Sequence, residues 1–407
     1  MNKNKEEQAG DYTMIAKTIY GLEDVLASEL LKLGAKKIET HNRAVTFSGD
    51  IGFMYKANLS LRTALRVLKP IHSFEVVNEE SLYRDIYDFE WESLIGPENT
   101  IAVDCVLNTP LFNHSMYISQ KTKDAIVDRF RDKFEKRPSV ELTNPDLRIS
   151  IHISGNTCSV ALDSSGYSLH KRGYREATGI APINEVLAAG LVMLTGWERH
   201  LPLIDPMCGS GTILAEAALI ANNIPPGYFR ETFGFQKWKD YDAKLFELIL
   251  ESTVNKIKND DYVKIIGCEK EPDVAQIASE NIKHAKVDDV VTINTGNFED
   301  FNPPQSKGVV IMNPPYGERM NEEDISALYK KIGDTLKQKY QGYDAWIISS
   351  NPEAFKSVGL RPSRKITVFN GPLECRYMKF EMYQGTKKLH KVREREEREN
   401  EQKENKD

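Results

Sequence analysis

The chain is poor in cysteine, with five in 407 residues: Cys105, Cys158, Cys208, Cys268 and Cys375. None forms a Cys-x-x-Cys pair, which argues against a zinc site and a disulfide framework and fits a reducing compartment. Long apolar runs are also missing, and no stretch approaches the ~18 consecutive apolar residues of a membrane helix. The opening residues Met1-Asn2-Lys3-Asn4-Lys5-Glu6-Glu7-Gln8 carry charge but no apolar region, so no secretory signal is expected and the cytoplasm is the expected location. Nor is there an excess of positive charge. Lys and Arg total 54 against 60 Asp and Glu, a net −6, so a nucleic-acid partner would need a local basic face. No internal repeat is visible.

What is present reads as globular: 40% hydrophobic and 28% charged residues, at a length that suggests two or three domains. From Tyr12 the pattern alternates short strands and helices: a strand at Tyr12–Thr18, a helix at Gly21–Leu33, a strand at Ala44–Ser48, then helix and strand again at Ile51–Asn58 and Leu65–Phe74. This predicts a small α+β unit. A second unit follows, with strands at Ile101–Leu107, Leu147–Ser154 and Thr157–Asp163. Its helix, Gln120–Lys136, repeats apolar Ala125, Ile126, Phe130 and Phe134 at helical spacing. Around that helix, Lys121, Lys123, Arg129, Arg131, Lys133, Lys136 and Arg137 face Asp124, Asp128, Asp132 and Glu135, a local surplus of three positive charges. Either a solvated helix face or an RNA-docking face fits this pattern. A connector, Gly166–Ala181, adds Arg172 and Arg175. From about Pro182 to Gln384, long helices alternate with apolar strands, the pattern of a parallel sheet covered on both faces. The tail from Gly385 is nearly all charged or polar and is expected to be disordered or a lone charged helix.

The strand Leu201–Ile204 runs into Asp205-Pro206-Met207-Cys208-Gly209-Ser210-Gly211-Thr212, and a helix, Ile213–Ala221, follows at once. Glycines after a strand allow a ligand to approach the backbone, and the helix start adds unpaired N–H groups. Asp205 would repel a pyrophosphate but suits the ammonium end of S-adenosylmethionine. The dinucleotide fingerprint fails, because position 214 is Leu. The next strand, Val263–Gly267, leads to Glu269, placed to accept hydrogen bonds from ribose hydroxyls. An insertion at about Asn222–Asp261 separates it from the glycines. After Val291–Asn294 come Asn297, which can pair with the edge of adenine, and Phe298, which can pack on its face.

The strand Val309–Met312 then enters Asn313-Pro314-Pro315-Tyr316. An exocyclic amino nitrogen is a poor nucleophile because its lone pair is delocalised into the ring. The side-chain carbonyl of Asn313 and the backbone carbonyl of Pro314 could bind its two hydrogens and stabilise the charge that develops in transfer. The prolines fix φ and offer no donors, and Tyr316 could stack on an extruded base.

At these residues the sequence resembles the THUMP-domain class I RNA methyltransferases, specifically the bacterial group similar to the 23S rRNA guanine-N2 methyltransferases. Asp205–Thr212, Glu269 and Asn313–Tyr316 carry the resemblance. So do Arg172-Gly173-Tyr174-Arg175 and Ala181-Pro182-Ile183-Asn184-Glu185, which in the family border the cofactor pocket and bring in Asn184. Phe112–Ser115 and Lys123–Phe130 look like the THUMP module. One departure is Asn297, where the family usually has Asp; the amide still offers an acceptor, without charge. The resemblance implies an α/β fold. Residues 1–70 would be a ferredoxin-like region, 71–165 a THUMP RNA-binding domain, 166–384 a Rossmann-like methyltransferase domain with a mixed, mostly parallel sheet, and 385–407 a charged tail. It implies S-adenosylmethionine as cofactor, no metal, and RNA as partner, ribosomal RNA favoured and transfer RNA also open. Lys121, Lys123, Arg129, Arg131, Lys133, Arg172 and Arg175 are the candidate RNA contacts. The expected reaction is guanine-N2 methylation. The catalytic tetrapeptide alone would also permit adenine-N6 methylation of DNA. An RNA-binding protein with a retired catalytic domain would show a broken tetrapeptide or lost glycines, and neither is seen.

Overall fold

The computed structural model describes residues 10–175, 183–258, 263–315 and 321–383, so the charged tail lies outside the described residues. The chain forms two compact units, one of residues 1–173 with 223–257, the other of 174–222 with 258–407.

The first unit runs β1 (Tyr12–Lys17), α1 (Glu23–Leu33), β2 (Lys36–His41), β3 (Ala44–Gly49), α2 (Ile51–Ser60), β4 (Arg66–Glu75), α3 (Glu79–Asp88), β5 (Thr100–Asn108), α4 (Ser115–Phe134), β6 (Ser139–Val140), β7 (Leu147–Ser154) and β8 (Thr157–Asp163). Its strands form one sheet in the order β2-β3-β1-β4-β8-β7-β5-β6. The ferredoxin-like and THUMP regions therefore share a sheet, because β4 of the first lies antiparallel to β8 of the second, from Leu68 opposite Asp163 to Glu75 opposite Thr157. In β7, Leu147, Ile149, Ile151 and Ile153 are buried while the residues between them are not, the alternation of a strand with one covered face. Strand β2 has no such alternation. Its six mostly exposed residues are held by backbone pairing to β3 at the sheet edge, which is why apolar periodicity misses it. Helix α4 starts at Ser115, ahead of the expected Gln120, because the His114 ring caps it, Nδ1 accepting from the Tyr117 N–H at 3.1 Å.

The second unit contains α5 (Glu185–Thr195), β9 (Leu203–Asp205) and α6 (Thr212–Ala221). After α6 the chain passes to the first unit, where it forms α7 (Ala243–Val254). It returns as β10 (Ile265–Glu269), α8 (Pro272–His284), β11 (Val291–Thr295), β12 (Gly308–Met312), α9 (Glu322–Lys339), β13 (Tyr343–Ser349), α10 (Pro352–Ser357), β14 (Arg364–Asn370) and β15 (Leu373–Glu381). The sheet order is β11-β10-β9-β12-β13-β15-β14. Strands β9 to β13 are parallel, and β15 runs antiparallel to both β13 and β14. All five residues of β12 are buried, as a strand covered on both faces requires. The alternation of helices and apolar strands predicts the parallel part; with antiparallel β15 the sheet is the mixed, mostly parallel Rossmann-like form that the family resemblance implies.

Residues 223–257 belong to the first unit through an aromatic cluster. Tyr55 on α2 stacks on Phe235 at 4.4 Å between centroids and meets Tyr241 and Phe246 edge-on or nearby at 5.9 and 5.8 Å. Arg230 adds a polar tie. Its guanidinium donates to the carbonyls of Ser165, Tyr167, Ser168 and Lys171 at 3.0–3.1 Å and lies 3.7 Å over the Tyr167 ring. Burial lowers its pKa to about 10, which leaves it charged at neutral pH. Arg172, expected on sequence grounds to reach RNA, is also internal. It is 1% exposed and donates to the carbonyls of Leu169 at 2.8 Å and Arg62 at 2.6 Å, so that assignment is corrected.

Arg230→Met keeps the stem but removes the donor shared by four carbonyls, of which that of Ser168 keeps another partner, the Lys171 N–H at 3.1 Å. It is expected to destabilise the first unit by on the order of 3 kcal/mol, a melting-temperature loss of roughly 6–12 °C. A melting curve matching the wild type would show that the tie carries no stability.

Candidate active site

The site follows from strand order. Strand β9 lies between β10 and β12, so the connections leaving β9 and β12 diverge and open a crevice at the carboxyl ends of the strands. Register fixes what meets there. Asp205 pairs with Gly267 on β10, and Ile204 pairs with Val310 on β12. Glu269 thus ends β10 two residues beyond the level of Asp205, and Asn313 follows β12 to a similar height on the other side. With one strand between them, their backbones stand about 10 Å apart.

The loop after β9 is shaped by positive φ at Gly209 (52°) and Gly211 (79°), the left-handed conformation that glycine adopts without strain. No heavy atom lies within 4 Å of a Cβ placed on Gly209, so the backbone is open to a ligand. Around it, Pro206, Cys208 and Thr212 are buried, and the Cys208 N–H donates to the Cys268 carbonyl at 3.0 Å. Burial pushes the Cys208 thiol well up, which makes it an inert packing group. Glu269 bridges two loops, Oε2 accepting from Gly209 N–H and Oε1 from Glu271 N–H, each at 3.1 Å. Each carboxylate oxygen keeps a second lone pair for a ligand hydroxyl. Asn297 is exposed, its amide nitrogen held by Asp300 at 3.2 Å, a partner that sequence reading did not identify. Asn184 caps α5, its Oδ1 accepting from Val186 at 2.9 Å and Leu187 at 3.4 Å.

Two expected contacts are corrected. Phe298 is 4% exposed and packs on Tyr340 at 5.7 Å, so its ring belongs to the core rather than to a ligand. Arg175 is turned inward, Nη2 donating to Thr212 Oγ1 at 2.7 Å and to the Ile183 carbonyl at 3.0 Å, with Glu185 at 3.4 Å.

Asn313 has the telling environment. Its Oδ1 is buried and, among the described residues, has no hydrogen-bond partner. A buried amide oxygen without a donor costs on the order of 1–3 kcal/mol, so such groups call for an explanation. Pro314 is buried and Pro315 exposed, while Tyr316 lies outside the described residues.

In the first unit, Arg129 is removed from the basic face. It is 7% exposed, with Nε and Nη2 on Glu92 at 2.8 and 2.7 Å and Nη1 on the carbonyls of Tyr87 and Asp88. That fork of donors and Lys133 hold the Glu92 carboxyl well below the usual carboxylate range. Lys133 also pairs with Glu92, Arg131 with Asp128, and Lys123 with Asp124, while Lys121 lies 5.0 Å over the Tyr83 ring. These four are less buried than Arg129 and can exchange partners.

Burial is the main cause that raises the pKa of Asp205 from 3.8 to about 7; nearby Glu269 adds to it and the Met207 N–H opposes it. Between about pH 4 and 7 the folded chain then holds a proton that the unfolded chain has released, so stability falls as pH rises through that window. Asp205→Asn is expected to leave stability unchanged below about pH 4 and to raise the melting temperature by on the order of a few degrees above about pH 7. Melting curves at both ends of the range check this; a loss of stability at the alkaline end would contradict it.

Comparison with known proteins agrees with the fold. Residues 172–379 match the family model of the RMKL-like methyltransferase domain, residues 13–68 that of the RlmL ferredoxin-like domain, and residues 76–163 that of the THUMP domain. A Synechocystis protein whose name suggests an RNA methyltransferase is 40% identical over 364 residues, 89% of this chain and 95% of that one. The ribosomal RNA large subunit methyltransferase K/L of Desulfotalea psychrophila is 36% identical over 383 residues, 92% of this chain but 53% of that protein. The chain thus spans about half the length of the K/L relatives it matches. The crystal structure of SMU.472, provisionally named a methyltransferase and solved with SAH, superposes with a TM-score of 0.81 at 28% identity, covering 93% of this chain and all of that one. On these matches the chain belongs to the RMKL-like methyltransferase family, its methyltransferase domain carried behind an RlmL-type ferredoxin-like domain and a THUMP domain.

Proposed function

We propose that this chain transfers a methyl group from S-adenosylmethionine to the exocyclic N2 amino group of a guanine in structured RNA, with ribosomal RNA as the favoured target. The observation that carries the reading is the buried Oδ1 of Asn313, without a partner among the described residues, at the mouth of the switch-point crevice. An amino N–H is the donor this oxygen lacks. With the Pro314 carbonyl as a second acceptor, both amino hydrogens are held and the nitrogen lone pair is freed from the ring. As the N–C bond forms, positive charge grows on that nitrogen, and the two fixed oxygens stabilise it. S-adenosylmethionine, when bound, would supply an electrophilic methyl group on a sulfonium and would leave as the neutral thioether, and the methylated nitrogen would then release one of its two protons.

The residues across the crevice fit that cofactor. Asp205 offers a buried carboxyl that a neighbouring ammonium would hold ionised, Glu269 a carboxylate to the ribose hydroxyls, Asn297 an amide to the adenine edge, and Gly209 an unobstructed backbone. RNA as substrate is supported by the THUMP match and by the relatives' names. Lys121, Lys123, Arg131 and Lys133 on α4 remain the candidate phosphate contacts. Their involvement would make RNA affinity fall with added salt, as counterions are released.

Asn313→Ala is expected to lower turnover by on the order of 100-fold or more while leaving S-adenosylhomocysteine affinity unchanged, because its oxygen acts on the acceptor nitrogen. Near-normal turnover would sink the mechanism. Incubation with unmodified ribosomal RNA, followed by mass spectrometry of the nucleosides, should yield N2-methylguanosine. N6-methyladenine formed in DNA instead would overturn the acceptor while leaving the methyl transfer intact.

A further inference from the structure

Arg175 is inside the second unit, and what it touches is specific. One nitrogen, Nη2, reaches Thr212 Oγ1 at 2.7 Å, the Ile183 carbonyl at 3.0 Å and Glu185 Oε1 at 3.4 Å. Thr212 is the first residue of α6 and directly follows Gly211; Glu185 is the first residue of α5, beside its cap Asn184. Arg175 and Glu185 are both largely withdrawn from solvent, with side-chain exposures of 11% and 7%. The residue before it acts on the same helix: Tyr174 Oη donates to Glu216 Oε1 at 3.0 Å. Thr212 and Glu216 are four apart and so share one face of α6. Two consecutive residues of the connector therefore clamp the first two turns of the helix whose start carries the glycine loop.

A cation beside a helix N-terminus is electrostatically unfavourable, since that end carries partial positive charge. Glu185 offsets this, and the arrangement makes sense if its product is geometry. We propose that Arg175 is a positioning residue for the cofactor: it ties the start of α5 to the start of α6 and so holds the Gly209–Gly211 loop in the shape that receives S-adenosylmethionine. This rests on the cofactor assigned under the proposed function. All three contacts run through the single nitrogen Nη2, so lysine, with one nitrogen on a differently shaped stem, would keep the charge beside Glu185 and only part of the contacts.

The test uses the full chain with Arg175→Ala and Arg175→Lys, calorimetric titration with S-adenosylhomocysteine, and hydrogen exchange of the backbone from Gly209 to Leu214. Titrations are run at a temperature where melting curves show each variant fully folded. Arg175→Ala is expected to weaken binding by roughly 10-fold or more and to speed exchange in that segment; Arg175→Lys should recover part of both. Should the alanine variant fail to fold, the lysine variant carries the same comparison. A lowered melting temperature with wild-type affinity and exchange would overturn the positioning role and leave a purely structural one. If the wild-type chain itself does not bind S-adenosylhomocysteine, the cofactor reading fails first, and that result is distinct from equal binding by wild type and variant.

Discussion

The second unit depends on one topological constraint, the reversal of strand order at β9. With β10 on one side and β12 on the other, the chain must leave the sheet in opposite directions from neighbouring strands, and no connection can cover the gap. Three polar groups of the site follow from where a strand ends at or next to that gap. Asp205 ends β9, Glu269 ends β10, and Asn313 follows β12. The parallel ladder brings them to one place although more than a hundred residues of sequence separate the first from the last. The burial of Asp205 has the same origin, since a strand covered on both faces delivers its end among protein groups rather than into bulk water.

What the sequence made legible was whatever is local. Gly209 and Gly211 mark a loop that needs left-handed backbone, and Asn313-Pro314-Pro315 marks a strand end with rigid carbonyls. The alternation in β7 marks its covered face, and all of these are read within a few residues of chain. Burial decided by distant partners was not legible. Arg129, Arg172 and Arg175 look alike as basic residues in basic stretches. Their roles came from Glu92, from the carbonyls of Leu169 and Arg62, and from Thr212. Phe298 looked like a ligand platform because it follows a strand; Tyr340, far along the chain, claims its ring. The shared sheet of the first unit was hidden for the same reason, since the pairing of β4 with β8 joins segments about ninety residues apart.

Guanidinium groups in this protein show how one side-chain type divides its work. A buried arginine with several carbonyl acceptors, such as Arg230, organises irregular backbone that has no ladder of its own. One facing a carboxylate, such as Arg129, joins a helix to the turn beneath it. Only cations left at the surface can serve a polyanion. The net charge of the chain therefore says little about its partner, because some of its positive charge is spent internally.

The excursion of residues 223–257 into the first unit has a consequence for the order in which the chain can become folded. On the ribosome the sheet of the first unit is fully synthesised once β8 has emerged, yet Tyr55 still lacks Phe235, Tyr241 and Phe246, and the Ser165–Lys171 carbonyls still lack Arg230. Those partners arrive only after α5, β9 and α6, the opening elements of the other unit, have been made. Domains usually fold from the N-terminus as they are synthesised. Here the earlier unit must wait, with an unfilled aromatic socket, for a segment encoded within the later one.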